Sequence, residues 1–536
     1  MSNVREFMKG RIHVPFPLRG DAYSIAGDCL ASPEARDTSI YNFTNRLSPR
    51  TQMKEVAEDS RMVFYGLSDF IREHMTQPIN MADVDESVKF MAQAKSGCKP
   101  LKFNADMWRR VVTDCDGYLP IMIQAVPEGS VFFPNEPVIQ VTSLGKGFGE
   151  IAAHIEALMV GMVSIASAKV TLYRHWLQRL RKYVLSTNPK DTLELAQWVI
   201  HDFGMRASSC AEESELLGRA HLLVFHGTDT FNAAYQAWKM ACHSVTGKSI
   251  LALAHRIVQG YSNEGDCYKN LISQDNIGSF VADCYNFKNA VKEYLIPLAQ
   301  ANRDNTIVVR PDSGNHLDNV EFIVTEAIKA GLSSTYRPYA NSSEERTCGK
   351  GISFISGDSM NPSKVDAVMQ MLNKMGCDPI KWGLFGVGGY GRNTPNRDIL
   401  SSAYKLASKG NNIPVMKLSE TLGKMSVPGP TYLLDPRTSG KSVLIKSTNS
   451  QIKFFKENHY FSDRMRTYYC YGRPIDNSFS EFCYEHFSNK QTRTIKEFDD
   501  YEKFSKNRPD YGMPNDTCLS DTILRMQKLL HDHYQD

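Results

Sequence analysis

At 536 residues, with 42% hydrophobic and 23% charged side chains, the chain is long enough for about two to four domains and has an ordinary globular composition. Lys and Arg number 62 against 59 Asp and Glu, and a formal net charge of +3 argues against a general nucleic-acid or membrane-surface role. The 12 cysteines include no C-x-x-C pair, so a zinc ribbon or thioredoxin-type site is not expected. They read as reduced core thiols in a reducing compartment. Met1 to Leu18 is polar and lacks a signal-peptide apolar segment. The longest apolar run, Ala157 to Ala168, is too short to span a bilayer and predicts a buried helix. These features predict a soluble, cytoplasmic protein.

In chain order, residues 1–50 are punctuated by Pro15, Pro17, Pro33 and Pro49, and enclose an alternating strand, Ile40 to Arg46. Met62 to Met75 has helical spacing. Pro120 to Val126, a Pro127-Glu128-Gly129 turn and Pro137 to Thr142 predict a β-hairpin region. Glu150 to Val184 predicts one long helix. From about 195, strands and helices alternate. The strands are expected at Trp198–His201, Leu222–Phe225, Ser249–Ala252, Gly278–Val281, Thr306–Val309, Ile352–Ile355 and Lys381–Phe385. Helices are expected between them, at Asn286–Ala301, Asp318–Ala330 and Pro362–Lys374 among others. Such alternation means an α/β layer or barrel, with a site at the C-terminal rim of the strands. Beyond about 430 the composition turns aromatic and polar, and Asp521–His533 predicts an amphipathic final helix.

The strand ends carry the chemistry. Thr306–Val309 runs into Arg310-Pro311-Asp312-Ser313-Gly314-Asn315, which pairs a bidentate donor for oxyanions with an acceptor for sugar hydroxyls. Phe354-Ile355-Ser356-Gly357-Asp358 and Leu384-Phe385-Gly386-Val387-Gly388-Gly389 repeat the pattern. Gly386 to Gly391 matches G-x-G-x-x-G, but Asn393-Thr394-Pro395 follow where a dinucleotide site needs a smooth helix. A single-phosphate nest or a plain tight turn is the better reading. Gly-Lys-Ser strings at Gly247 and Gly440 lack the Walker glycine, with Cys242 and Asp435 in its place. Arg397, Lys405, Lys417 and Lys424 form a basic series, either a solvated face or a clamp for pyrophosphate. His255 closes the apolar string Ile250–Ala254, as a satisfied core histidine or a catalyst. Asp229, in Gly227-Thr228-Asp229-Thr230, caps the next helix or receives a ligand amide.

Together these strings resemble the nicotinamide phosphoribosyltransferases and, more distantly, the nicotinate enzymes of the same type II phosphoribosyltransferase group. The resemblance runs from about residue 20 to about 430. It is densest in Cys115-Asp116-Gly117-Tyr118-Leu119-Pro120-Ile121, Ala125-Val126-Pro127-Glu128-Gly129, His201-Asp202-Phe203-Gly204-Met205-Arg206, Gly227–Thr230 and Arg310–Asn315. It implies a homodimer with a shared site, an irregular α/β barrel over 166–430, and a second mixed α/β domain built from 1–165 and completed by 431–536. The implied reaction joins nicotinamide to 5-phosphoribosyl-1-pyrophosphate, giving nicotinamide mononucleotide and pyrophosphate. By position, Phe203 resembles the residue stacked on the pyridine, opposite Tyr23 of the other subunit, and Asp229 the acceptor of the carboxamide. Arg206 and Arg310 resemble base and phosphate contacts, and Asp312 and Asp358 ribose-hydroxyl ligands. Gly357, Gly388 and Gly389 resemble the 5′-phosphate nest. Arg46, Arg397, Lys405, Lys417 and Lys424 resemble the pyrophosphate clamp. Ser279 and Asp283 fall on the strand facing base and ribose. The catalytic set implied is His255, Asp283, Arg310 and Asp312, with Mg²⁺ carried through pyrophosphate and water and no direct protein ligand.

Two departures stand out. Ala254 precedes His255 where the group has an acid, so His255, matching a residue phosphorylated from ATP, is expected to give weak or altered ATP stimulation. Ser24-Ile25-Ala26-Gly27 follow Tyr23 in place of the group's lysine and polar residues. The competing readings are a nicotinate phosphoribosyltransferase, a non-catalytic binding or signalling protein on the same fold, and an unrelated phosphate-binding barrel enzyme.

Overall fold

The computed structural model describes residues 12–46, 60–186, 188–240, 247–250, 252–272, 278–302, 305–339, 343–392, 396–417, 424–433, 443–445, 464–470 and 473–474. The amphipathic helix expected at Asp521–His533 lies outside them.

Six short strands form one parallel sheet: β1 (Ile200–Asp202), β2 (Gly227–Thr228), β3 (Ser279–Val281), β4 (Ile307–Arg310), β5 (Ile352–Ser356) and β6 (Gly383–Val387), in the order β3-β4-β5-β6-β1-β2. All five ladders are parallel. Single parallel bridges join Gly227, on one edge strand, to Lys248, and Ser279, on the other, to Ala252. Parallel neighbours require crossovers, and amphipathic helices supply them. His316–Lys329 follows β4 and Pro362–Lys374 follows β5. Each starts on an asparagine: Asn315 accepts from the Leu317 and Asp318 amides, and Asn361 from the Lys364 amide.

A second, antiparallel sheet takes Ser39–Asn45 between Ser402–Lys409 and Pro137–Ser143, followed by Ile121–Ala125 and Arg466–Cys470. Ser402–Lys409, grouped by sequence with the barrel segment, therefore pairs in this other sheet. Each sheet has its own hydrophobic core, and the helix Glu156–Arg181 serves both. Val160, Val163 and Leu172 face the antiparallel core, whereas Ala166, Val170, Tyr173, Leu177 and Leu180 face the parallel one. This apolar stretch passes the length and composition test for a membrane span, but two-thirds of its most apolar window is buried inside the protein.

Several expected elements need correction. Leu222–Phe225 is not a strand: Ala211–Leu222 is helical, and the Val224 and Phe225 amides turn back onto the His221 carbonyl. A short apolar run has no period to tell a buried helix end from a buried strand. Trp198 ends a helix rather than starting a strand, and among the described residues of Ser249–Ala252 only Ala252 pairs, in one isolated bridge to Ser279. Met62–Met75 divides into a two-residue strand and the helix Leu67–His74, because Gly66 sits at φ +102°. Glu150–Val184 divides at Ile155. Of the cysteines expected in the core, Cys115, Cys267 and Cys377 are buried, whereas Cys98 and Cys210 are exposed.

One buried ion pair links the helix Leu67–His74 to the helix Ala211–Leu222. Asp69 Oδ1 lies 2.9 Å from Arg219 Nη2, with both side chains 1% exposed, and 2.7 Å from Arg72 Nη2. Asp69→Ala leaves the guanidinium of Arg219 buried without its carboxylate, and should lower unfolding stability by about 3–5 kcal/mol. A denaturant titration that moves by under about 1 kcal/mol would show that water replaces the carboxylate.

Candidate active site

The expected residues converge at the C-terminal ends of the parallel strands. The Phe203 amide, just past β1, donates to the Val387 carbonyl at 3.0 Å, which seats the ring over β6. A Cβ built on Gly386 would lie 2.1 and 2.2 Å from ring carbons of Phe203. The same construction on Gly357 meets the ring at 3.5 Å and Asp312 Oδ1 at 3.4 Å. One aromatic face, two bare backbone positions and one carboxylate thus share a single corner.

His255 sits between two carboxylates. Its Nε2 is 3.2 Å from Asp283 Oδ1, and its Nδ1 is 3.9 Å from Asp312 Oδ2. The second Asp283 oxygen accepts a hydrogen bond from Ser313 Oγ. Arg310, largely buried, donates from Nη2 to the Leu253 carbonyl at 3.0 Å and lies 3.8 Å from Asp312 Oδ2.

Asp229 follows β2 and accepts from Ser249 Oγ at 2.5 Å. Burial pushes its carboxyl above the ordinary value, opposed by Ser249 and by the charge of Arg310. Among the described residues the Asp229 carboxylate meets Ser249 and not an amide of the following helix, so the capping reading is not the one observed. Arg206 is exposed in the turn after Phe203, and Asp358 is exposed with its Oδ1 accepting from Ser359 Oγ at 3.0 Å. Gly388 lies beside the Phe203 carbonyl, and Gly389 faces open space at the start of the helical segment Gly389–Arg392. Ser279 is placed differently: it is the first residue of β3, at the far end from Asp283, and is fully buried.

Of the cations, Lys405 lies in a strand of the antiparallel sheet, whereas Arg46, Arg397, Lys417 and Lys424 lie outside its strands. Arg46 Nη1 donates to the Lys424 carbonyl at 3.4 Å, and burial followed by the charge of Arg397 lowers the Arg46 pKa. The Lys417 amide donates to Ser426 Oγ at 2.8 Å. Lys405 is set apart, 3.5 Å from Glu156 Oε1. Among the described residues, none of the five side chains makes a hydrogen bond or ion pair with Phe203, His255, Asp283 or Asp312. Tyr23 is 72% exposed on the helix Ala22–Gly27. No group of three or more His, Cys, Asp or Glu among the described residues is arranged to hold a metal.

Sequence reading missed three features: Gly386 as the bed for Phe203, Ser249 as the partner of Asp229, and Ser313 as the partner of Asp283. Gly386 alone carried a signal, since it opens the glycine string.

Residues 198–472 match the family model of the nicotinate phosphoribosyltransferase (NAPRTase) family. The chain is 28% identical over 445 residues to a nicotinamide phosphoribosyltransferase of Xanthomonas campestris pv. campestris, covering 79% of this chain and 88% of that protein. It is 26% identical over 401 residues to a nicotinamide phosphoribosyltransferase of Acinetobacter baylyi, covering 70% and 78%. Among solved structures it is similar to nicotinate-nucleotide pyrophosphorylase from Pyrococcus furiosus, with TM-score 0.57, 13% identity and coverage of 91% of this chain and 99% of that one. It is also similar to human nicotinic acid phosphoribosyltransferase, with TM-score 0.52, 13% identity and coverage of 96% and 100%. These two likenesses bear on the fold.

Proposed function

The chain belongs to the nicotinate phosphoribosyltransferase family, and we propose that it transfers phosphoribosyl from 5-phosphoribosyl-1-pyrophosphate to nicotinamide, in NAD salvage. The observation that carries this reading is the shared corner of Phe203, Gly386, Gly357 and Asp312. A flat ring beside bare backbone offers a platform for a planar base, and the carboxylate next to it offers an acceptor for ribose hydroxyls. Phe203 holds the pyridine nitrogen in line with C1, largely a positioning effect. Arg310 and Asp312 orient the sugar, Asp358 takes a second hydroxyl, and the backbone around Gly357, Gly388 and Gly389 receives the 5′-phosphate. Mg²⁺ bound to pyrophosphate would neutralise charge on the leaving group. Within this reading the enzyme is a cytoplasmic homodimer, with Tyr23 of one protomer closing the base site of the other. Arg46, Arg397, Lys405, Lys417 and Lys424 then reach pyrophosphate from the second domain. Incubation with phosphoribosyl pyrophosphate, Mg²⁺ and either nicotinamide or nicotinate, followed by identification of the mononucleotide, tests the reaction. No pyrophosphate release with either base would reject it.

Asp229 selects amide over acid in this reading, because its charge repels a substrate carboxylate. Asp229→Ser should relax the amide-to-acid ratio of kcat/KM by at least about tenfold. Since burial raises the Asp229 pKa, its charge is lost as pH falls through a value above the ordinary carboxylate range. The KM for nicotinamide should climb along that limb, and the limb should vanish in the serine variant. An unchanged ratio removes Asp229 from the role.

ATP acts here as a weak or altered activating co-substrate through His255, which has no acid at position 254. The KM for nicotinamide should move little when ATP is added, in the wild type as in His255→Ala. A normal ATP-dependent lowering of that KM in the wild type would refute this reading.

A further inference from the structure

We propose that Ser313 is a positioning residue that acts on His255 through Asp283, a role that rests on the phosphoribosyl-transfer reading for its kinetic consequence. Both oxygens of the Asp283 carboxylate are engaged: Oδ1 with His255 Nε2 at 3.2 Å, and Oδ2 with the hydroxyl of Ser313. A carboxylate that meets an imidazole through one oxygen alone still rotates about its terminal torsion, which is broad and soft. The second bond, from a residue on the neighbouring strand end, fixes its plane and with it the imidazole ring.

Ser313 is itself held. Asn319 Nδ2 donates to its carbonyl at 2.8 Å, and the chain then turns at Gly314, φ +80°, into the helix capped by Asn315. The loop after β4 thereby reaches both ring nitrogens. Asp312 faces Nδ1 at 3.9 Å, and Ser313 acts on Nε2 by way of Asp283. Ala254, just before His255, carries no polar side-chain group. Through Asp283, the hydroxyl at position 313 supports the ring from the adjacent strand end.

The test uses the full-length protein. Ser313→Ala should lower kcat for nicotinamide mononucleotide formation roughly tenfold while the KM for nicotinamide moves by less than about twofold. Ser313→Thr keeps a hydroxyl on the same Cβ and should recover most of that loss. On an Asp283→Asn background, Ser313→Ala should add nothing further, since its route is already cut. The His255 imidazole NMR resonance, assigned by its loss in His255→Ala, should shift in Ser313→Ala toward its position in Asp283→Asn. Additive losses in the double variant, or an unmoved His255 resonance, would overturn the proposal. The resonance is read without substrate, so a wild-type protein that makes no mononucleotide rejects the reaction and still leaves Ser313 decided.

Discussion

Gly386→Ala is expected to lower kcat/KM for nicotinamide by about two orders of magnitude, whereas Gly357→Ala stays within about tenfold of wild type. The two glycines flank the same ring but leave it different room. An alanine Cβ at 386 would lie 2.1 Å from the Phe203 ring, far inside any real carbon contact. At 357 the nearest atoms stand at 3.4 and 3.5 Å, which is ordinary contact. Gly386 lies inside β6, paired with His201 of β1 and directly after the Ser356–Phe385 pair with β5, so its backbone has little freedom to retreat. The ring must leave its seat. Local overpacking costs about 1–3 kcal/mol of stability, which a folded protein of this size can absorb. The base platform is lost whether or not that cost is met. Steady-state kinetics beside a thermal melt separate the two effects. A folded Gly386→Ala protein with a wild-type KM for nicotinamide would remove Phe203 as the stacking residue.

Strands β3 to β6 of the parallel sheet were legible because they are β-branched or apolar runs closed by Gly, Asp and Arg, whereas β2, Gly227–Thr228, has no such run and was not expected. Pro362–Lys374 was legible to the residue, since Asn361 and Pro362 mark a helix start in local chemistry. Leu222–Phe225 was misread because burial on all sides erases periodicity. The site divides in the same way. Arg310, Asp312, Gly357 and Asp358 announce themselves as strand-end residues. The contacts Ser313–Asp283 and Ser249–Asp229 join residues on different strand ends, 30 and 20 positions apart in the chain, and no local pattern encodes them. Lys405 shows the converse: the basic series was read as one unit, yet this lysine reaches Glu156 on the long helix. Chain order groups charges that folding separates.

Asp312 should give the second large effect. Its Oδ2 faces Arg310 and His255 at 3.8 and 3.9 Å, and its Oδ1 side borders Gly357 beside the Phe203 ring. The carboxylate is 31% exposed, so it opens toward the cleft rather than being consumed by its neighbours. When pyrophosphate departs, positive charge develops at C1 of the ribose, and a fixed anion at the sugar stabilises it more in the transition state than in the ground state. Asp312→Asn keeps the shape and an acceptor oxygen but removes the charge. Its kcat should fall by about 10²–10³, corresponding to about 3–4 kcal/mol, with a smaller rise in the KM for phosphoribosyl pyrophosphate. Asp312→Ala removes the ribose acceptor as well and should raise that KM further at a similar kcat. If Asn retains nearly full kcat and only Ala loses activity, the residue orients the sugar through hydrogen bonds and its charge plays no part. If the Asn variant instead raises only the KM, the anion serves binding, and stabilisation of the ribosyl cation must come from elsewhere in the site, with Asp283 the nearest carboxylate on the same imidazole.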